Sequence, residues 1–325
     1  MSNKIVYITG CLGFIGHQIT KECLMRGFYV KGVDKITYAA NVQLLDRLIS
    51  DYPYQFSFVH SDINDLKFLY ECDYVINTAA ETHVGNSIAN SKEFVHSNID
   101  GVHNLLELIK NYRQESSQKP VLIHFSTDEV YGDIDEGSHT ETDLLKPSNP
   151  YSATKAAADM LILAWHRTYG IPYVIVRPTN NYGRGQYVEK LIPKTCKSLM
   201  LGKKIQLHNN GIPVRTWLNV EDTALAVLKI IERGAVNEIY NISGGFEQTN
   251  YETVKKVIYE FNIREHPSEV MPTDWYLDLS YKRSGQDVRY SLDDYKLRKL
   301  GWSPTINFDE ALPGIVDYYK SRFIW

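Results

Sequence analysis

Cysteine is scarce. The 325-residue chain has four, Cys11, Cys23, Cys72 and Cys196, scattered and never in a Cys-x-x-Cys pair. That argues against a disulfide framework and a zinc site, so no metal is expected. Positive charge is not in excess either: 35 Lys and Arg stand against 39 Asp and Glu, a net charge of −4 with no basic block. Neither nucleic acid nor a membrane surface is an expected partner. No apolar run approaches the roughly 20 residues that cross a bilayer. "MSNKIVYITG" enters a strand at once, which leaves no room for a signal peptide. Internal repeats and low-complexity linkers are lacking too. A soluble protein of a reducing compartment, the cytoplasm, is the expectation. What the chain does have is 43% hydrophobic residues, enough for a sizeable core and one or two domains.

Short β-rich runs alternate with helical patterns through the first half. "KIVYITG", "YVKGVD", "FSFVHSD", "YVINTAA", "VLIHFST" and "YVIVRPT" read as strands. Val95, Ile99, Val102, Leu105, Leu106 and Ile109 recur at helical spacing and predict a helix over 94–112. Nearly continuous apolar strands alternating with helices mark a doubly wound parallel sheet, an α/β fold. After about residue 180 the alternation gives way to mixed segments with prolines and glycines.

Gly10, Gly13 and Gly16 in "ITGCLGFIGHQI" follow the first strand and open the first helix. Glycines permit a tight turn and close backbone approach, and the helix N-terminus then offers free N–H groups to a pyrophosphate. Asp34, 18 residues past Gly16, ends the second strand. A carboxylate there accepts hydrogen bonds from the adenosine ribose and repels a 2′-phosphate, which favours NAD over NADP. The expected organisation is a Rossmann-type NAD-binding domain over 1–180, carrying the reactive residues. A smaller, mixed α/β C-terminal substrate domain follows over 181–325, with segments interleaving.

The run "VLIHF" is followed by Ser126, Thr127, Asp128 and Glu129. Taken alone, an acidic pair at a strand end reads as a solvated loop. Downstream, "NPYSATKAAADML" places Tyr151 and Lys155 four apart on one helix face. A phenol titrates near ~10 in water and an adjacent ammonium favours the phenolate. Such a tyrosine can take a hydroxyl proton while hydride leaves the same carbon. The same spacing occurs at Tyr251/Lys255 and Tyr295/Lys299, which read as solvated helix faces. Position selects Tyr151, because it follows the strand ending in "STDE" and can meet the acidic cluster at one rim.

With these pieces assembled, the chain resembles an extended short-chain dehydrogenase/reductase. Within that superfamily it is similar to the nucleotide-sugar 4,6-dehydratases of the dTDP-glucose and UDP-glucose type. The likeness runs through "ITGCLGFIG", "DKITYAAN", "NTAAETHV", "FSTDEVYG", "PSNPYSATKAAAD", "RPTNNYG", "VEKLIPK", "VRTWLNVEDTA", "YNISGG" and "DVRYSLDDYKLRKLGW". The subfamily rests mainly on Thr127-Asp128-Glu129. Related epimerases carry small or hydroxyl residues there, and decarboxylases and GDP-mannose dehydratases have Ser at the Asp128 position.

The resemblance implies roles. Tyr151 is the base for oxidation at C4 of the glucose, Lys155 holds it charged, and Thr127 hydrogen-bonds the C4 oxygen. The ketone acidifies the C5 proton, which Glu129 removes, while Asp128 protonates the departing C6 hydroxyl. Mutual repulsion between two carboxylates in a partly desolvated site raises one pKa and supplies the two protonation states. Hydride then returns to C6, giving a 4-keto-6-deoxy sugar, a rhamnose-type precursor, with no net redox change. Cofactor positions carried over are Phe14, Ile15, Asp34, Lys35, Thr37, Asp62, Ile63, Ala79, Ala80, Ser97 and Asn181, with the three glycines, Tyr151 and Lys155. Substrate positions are Thr82, Thr127, Asn180, Lys190, Leu191, Arg215, Asn250 and Arg289, the arginines suiting a diphosphate. Lys282, Ser284 and Gln286 in "YKRSGQDVRY" depart from the dTDP-type pattern and leave the nucleotide base open between dTDP and UDP. The family also implies a homodimer through a four-helix bundle, with which "SATKAAAD" and the 94–112 helix are compatible. Competing readings are an epimerase or decarboxylase on the same scaffold and a silent NAD-binding scaffold. A complete proton-transfer set speaks against the last.

Overall fold

The computed structural model describes residues 4–112, 118–233, 236–263, 271–280 and 287–322. Lys282, Ser284 and Gln286 lie outside the described residues. Twelve strands occur among them: β1 Ile5–Thr9, β2 Tyr29–Asp34, β3 Phe56–His60, β4 Tyr74–Asn77, β5 Val121–Phe125, β6 Tyr173–Pro178, β7 Asn180–Tyr182, β8 Ile205–Gln206, β9 Val214–Asn219, β10 Glu238–Ile242, β11 Phe246–Thr249 and β12 Leu277–Asp278. Seven form one parallel sheet in the order β10-β6-β5-β4-β1-β2-β3. The expected doubly wound sheet is present, with one strand more than the six read from sequence.

Alternate residues of each strand go to opposite faces, and both faces are apolar. Val6, Ile8, Ile76, Ile123, Val174 and Val176 pack on one side with helices Phe14–Met25 and Val220–Arg233. Tyr7, Val75, Leu122, Tyr173 and Ile175 pack on the other with helices Gly101–Lys110 and Pro150–Tyr169. A strand buried on both faces has no polar face to alternate with, hence the continuous apolar runs.

Chain order reverses between β1, whose next strand β2 lies on one side, and β4 on the other. The crevice at this switch point lies at the carboxyl ends of the strands, where Thr9, Asp34, Asn77 and Phe125 end β1, β2, β4 and β5. The extra strand, β10, pairs with β6 at the sheet edge, and helix Val220–Arg233 packs against Phe14–Met25. Helix Val220–Arg233 and strand β10 thus return to the large sheet from beyond position 180. A smaller mixed sheet, β11-β9-β7, with helices Leu191–Met200, Asn250–Ile263 and Phe308–Ser321, forms its own apolar cluster.

The helix expected over 94–112 has a break in register. Lys92–Val95 is α-helical, His96–Asp100 is a π-turn, and Gly101–Lys110 is α-helical again, with Tyr112 just beyond. The extra residue of a π-turn re-aims side chains. Here Ser97 and Asn98 are buried within it.

Candidate active site

A cleft of about 300 Å³ runs from the glycine turn after β1 to the rim formed by the β5 strand end, Tyr151 and the segment after β6. Gly10 has φ +70°, and a Cβ on it would lie 2.7 Å from the Ala79 amide nitrogen. A Cβ on Gly16 would lie 2.1 Å from the Gly10 carbonyl oxygen. The helix opens at Gly13 without a side-chain cap, so its first N–H groups face the cleft for an anionic ligand.

Asp34 borders the same cleft, its Oδ2 accepting from Leu12 N at 3.0 Å and its Oδ1 from Ile36 N at 2.8 Å. Burial raises its carboxyl above the ordinary range, opposed by those two N–H groups. Lys35 is engaged by other partners, though its charge still acts on Asp34. Its Nζ donates to Ser97 Oγ at 3.0 Å and lies 3.4 Å from Asp62 Oδ2. The π-turn neighbour Asn98 clamps the loop after β4, accepting from Glu81 N and donating to Glu81 O and Thr154 Oγ1. A cradle in which any side chain would clash, an uncapped helix start and a buried acceptor at the end of β2 fit a dinucleotide.

At the other end, Thr127 caps a short 3₁₀ turn, Asp128–Val130, through Glu129 N at 3.3 Å, and its hydroxyl donates to Asp128 Oδ1 at 3.0 Å. Asp128 Oδ2 is buried without a partner. Burial, reinforced by the neighbouring Glu129 charge, pushes the Asp128 carboxyl up to about 7. Glu129 is half-buried and its Oε2 accepts from Asn149 Nδ2 at 3.1 Å; Tyr290 OH lies 3.4 Å from the same oxygen but donates its one proton to Asp287 Oδ2. Asn149 also caps the helix that carries Tyr151 and Lys155, in a capping box with Ser152 and with Pro150 in the first turn.

Tyr151 lines the cleft, and Lys155, one turn further along the same helix, is buried. The sequence predicts that the ammonium favours the phenolate. In the structure, burial and then the Glu129 charge raise the phenol well above its ordinary value, because desolvation is the largest effect in so closed a site. Desolvation lowers Lys155 to about 8, with Asp159 opposing. The two other Tyr-x-x-x-Lys pairs are away from the cleft: Tyr295 is exposed under Lys299, and the Tyr251 hydroxyl donates to Asp274.

Gly10, Gly13, Phe14, Ile15, Gly16, Asp34, Lys35, Thr37, Asp62, Ile63, Ala79, Ala80, Ser97 and Asn181 all border the cleft, as do Thr82, Thr127, Asn180 and Lys190. Lys190 Nζ donates to Thr82 O at 3.0 Å. Leu191, Arg215, Asn250 and Arg289 do not border it. The last three gather instead around Val214 of the small sheet, which pairs with Thr249 and bridges to Arg289. Arg215 lies over the Tyr290 ring at 4.6 Å and donates to Asp287 O at 3.1 Å. Arg289 is engaged by Glu247 in a two-pronged pair at 2.8 and 2.9 Å, so its fork is already matched within the chain. Sequence reasoning missed Glu81, Gln186, Tyr187 and Glu189 on the cleft wall, and Asn149 and Tyr290 on Glu129. For Asn149 the signal was there, in the Asn-Pro that opens the helix. All four cysteines are buried and free, and among the described residues no helix is long and apolar enough to cross a membrane.

The family described as GDP-mannose 4,6 dehydratase matches residues 7–314. The chain is 39% identical over 330 residues to a dTDP-glucose 4,6-dehydratase of Haemophilus influenzae, covering 97% of each. It is 37% identical, over 99% of its own length and 48% of the other's, to a trifunctional Arabidopsis thaliana protein named first as a UDP-glucose 4,6-dehydratase. A dTDP-glucose 4,6-dehydratase of Streptomyces venezuelae, solved with NAD bound, matches with a TM-score of 0.88 at 35% identity, covering 98% of this chain and 97% of that one.

Proposed function

The chain belongs to the nucleotide-sugar 4,6-dehydratases of the extended short-chain dehydrogenase/reductase superfamily, and from that premise we propose how its residues carry the reaction. It is an NAD-dependent hydro-lyase that converts dTDP-glucose or UDP-glucose to the 4-keto-6-deoxy sugar and water. Relatives of both nucleotide kinds match at similar identity, 39% and 37%.

NAD, when bound along the glycine turn and Asp34, supplies the hydride acceptor for C4 and the donor for C6. Tyr151 takes the proton from the 4-hydroxyl, and Thr127 holds the C4 oxygen. That role of Tyr151 requires its phenol, raised by burial and the Glu129 charge, to be brought down by the positive charge NAD would carry. Glu129 removes the C5 proton, with Asn149 Nδ2 donating to one of its oxygens to hold it. Asp128 gives its proton to the leaving C6 hydroxyl. The observation that carries this reading is the contrast of surroundings in the acidic pair. Asp128, fully buried with an unmet oxygen and its carboxyl pushed up to about 7, is the acid, and Glu129, half-buried on the cleft wall with Asn149 donating to it, is the base. Elimination needs both within reach of adjacent carbons.

Arg215, Asn250 and Arg289 are proposed for the nucleotide diphosphate, with Arg289 leaving Glu247 to do so. A homodimer through helices 101–110 and 150–169 and a cytoplasmic location complete the proposal, the latter supported by the four free cysteines. The test is mass spectrometry of dTDP-glucose and UDP-glucose after incubation without added oxidant. Loss of one water from either supports the dehydratase. An isomer of unchanged mass would mean an epimerase, and no change at all would mean a silent scaffold.

A further inference from the structure

A row of polar side chains crosses the sheet beneath Tyr151. Thr9, Asn77 and His124 are register partners on β1, β4 and β5, and none is more than 1% exposed. The face they share is otherwise apolar: Tyr7, Val75 and Leu122, two residues earlier on the same strands, belong to its core. Thr9 Oγ1 lies 2.6 Å from Asn77 Oδ1, Asn77 Nδ2 lies 3.0 Å from His124 Nδ1, and His124 Nε2 lies 3.4 Å from Lys155 Nζ. Buried polar groups in an apolar layer are destabilising unless bonded. This row is bonded from end to end, and it ends on Lys155.

We propose that His124 is a positioning residue for Lys155, its ring taking one tautomer against the ammonium and the other against the free amine. The inference rests on the dehydratase reading, which pairs Lys155 with Tyr151. An ammonium donates only, so the Nε2 that faces it is bare and the ring proton sits on Nδ1. That N–H then donates to the Asn77 carbonyl oxygen, and the Asn77 amide donates to Thr9. A free amine accepts, so Nε2 carries the proton, Nδ1 accepts from Asn77 Nδ2, and Thr9 donates to Asn77 Oδ1. The row of bonds from Thr9 to Lys155 closes in either direction, the Asn77 amide turning over between them.

The ring is neutral in both arrangements, because burial, then Lys155 and Arg177 nearby, keeps the imidazole well below its ordinary value. Several charged groups surround the pair. Asp159 and Tyr151 lie on the helix of Lys155, and Asp128 and Glu129 lie beyond Tyr151. From β6, Arg177 is paired with Asp159 at 2.9 Å and donates to Tyr131 OH at 2.6 Å. With Asp159 already engaged by Arg177 and Ser126, His124 is the neutral partner that Lys155 meets across the sheet. Burial lowers Lys155 to about 8 with the Asp159 charge opposing; an acceptor facing an ammonium favours the charged form, so His124 would act in the same direction as Asp159.

The test is nitrogen-15 NMR of the ring of His124 in the NAD-bound enzyme without substrate, followed through the titration of Lys155 near pH 8. The two ring nitrogens are expected to exchange their protonated and bare signatures there, and to stop doing so in Lys155→Met. A ring that protonates as an ordinary imidazolium, or whose tautomer ignores both pH and Lys155→Met, would overturn the proposal. Because no turnover is measured, failure of the dehydratase reading leaves this result standing and is read separately from the products. In kinetics, His124→Phe should move the pH limb assigned to Lys155 down by about one unit, and His124→Gln should restore part of it. A uniform loss of rate at every pH in both variants would reduce His124 to packing and count against the proposal.

Discussion

Each of the two acidic residues after β5 is defined by what surrounds it. Asp128 must be protonated to act as an acid, and its carboxyl is pushed up to about 7. The elimination step should therefore weaken as pH rises through that value. The same shift bears on stability: the contribution of Asp128 is fully present below its unfolded value of 3.8 and is lost as pH rises to about 7. Asp128→Asn should melt at a higher temperature than the parent above pH 7 and at the same temperature near pH 4, while dehydration slows by roughly 100-fold or more. Unchanged turnover would move the acid elsewhere. Asp34 is proposed to set cofactor choice through its carboxylate, Lys35 being engaged by Asp62 and Ser97. Asp34→Ala should weaken NAD more than NADP in a binding titration, and equal affinity for the two in the parent would contradict that role. These residues were legible because each sits within a short motif next to a strand end. His124, Asn98 and Tyr290 were not. Tyr290 meets Glu129 across 161 positions, and no local pattern announces such a pairing.

Among the elements, the helix Pro150–Tyr169 joins fold and chemistry at its first turn. Asn149 caps it and donates to Glu129 with the same side chain. Asn149→Ala should cost about 1 kcal/mol of stability and also slow the elimination. Asn149→Asp keeps an N-cap but has no amide to donate. Denaturant melts should show stability recovered in that variant while turnover stays low. If both recover together, the bond to Glu129 has no part in the reaction. Continuous apolar runs revealed six strands, the three glycines revealed the turn after β1, and helical periodicity revealed the helix over 94–112. Periodicity did not reveal the π-turn at His96–Asp100, since one inserted residue leaves the apolar spacing on either side intact. Nor did it reveal β10, whose place beside β6 depends on a chain return from the smaller sheet.

At the scale of the molecule, the outer face of helices 101–110 and 150–169 carries exposed Met160, with exposed Val95 just before the π-turn and half-buried Leu161 and Trp165 nearby. A second copy would cover this face, and sedimentation at micromolar concentration should give a dimer; a monomer would remove that part of the proposal. The two-sheet design places the proton-transfer set on the large sheet and Arg215 and Arg289 beside the small one, with Tyr290 reaching from one to the other. A sugar held between them is oxidised, dehydrated and reduced without leaving. The most direct test of that central claim follows the hydrogens. Substrate deuterated at C4 and turned over in ordinary water should yield product with the label on C6 of the same sugar. Unlabelled substrate in deuterium oxide should gain deuterium at C5, because the C5 proton passes through Glu129 and exchanges. A label returned to C4 with no solvent hydrogen at C5, or one lost to free NADH, would contradict the account.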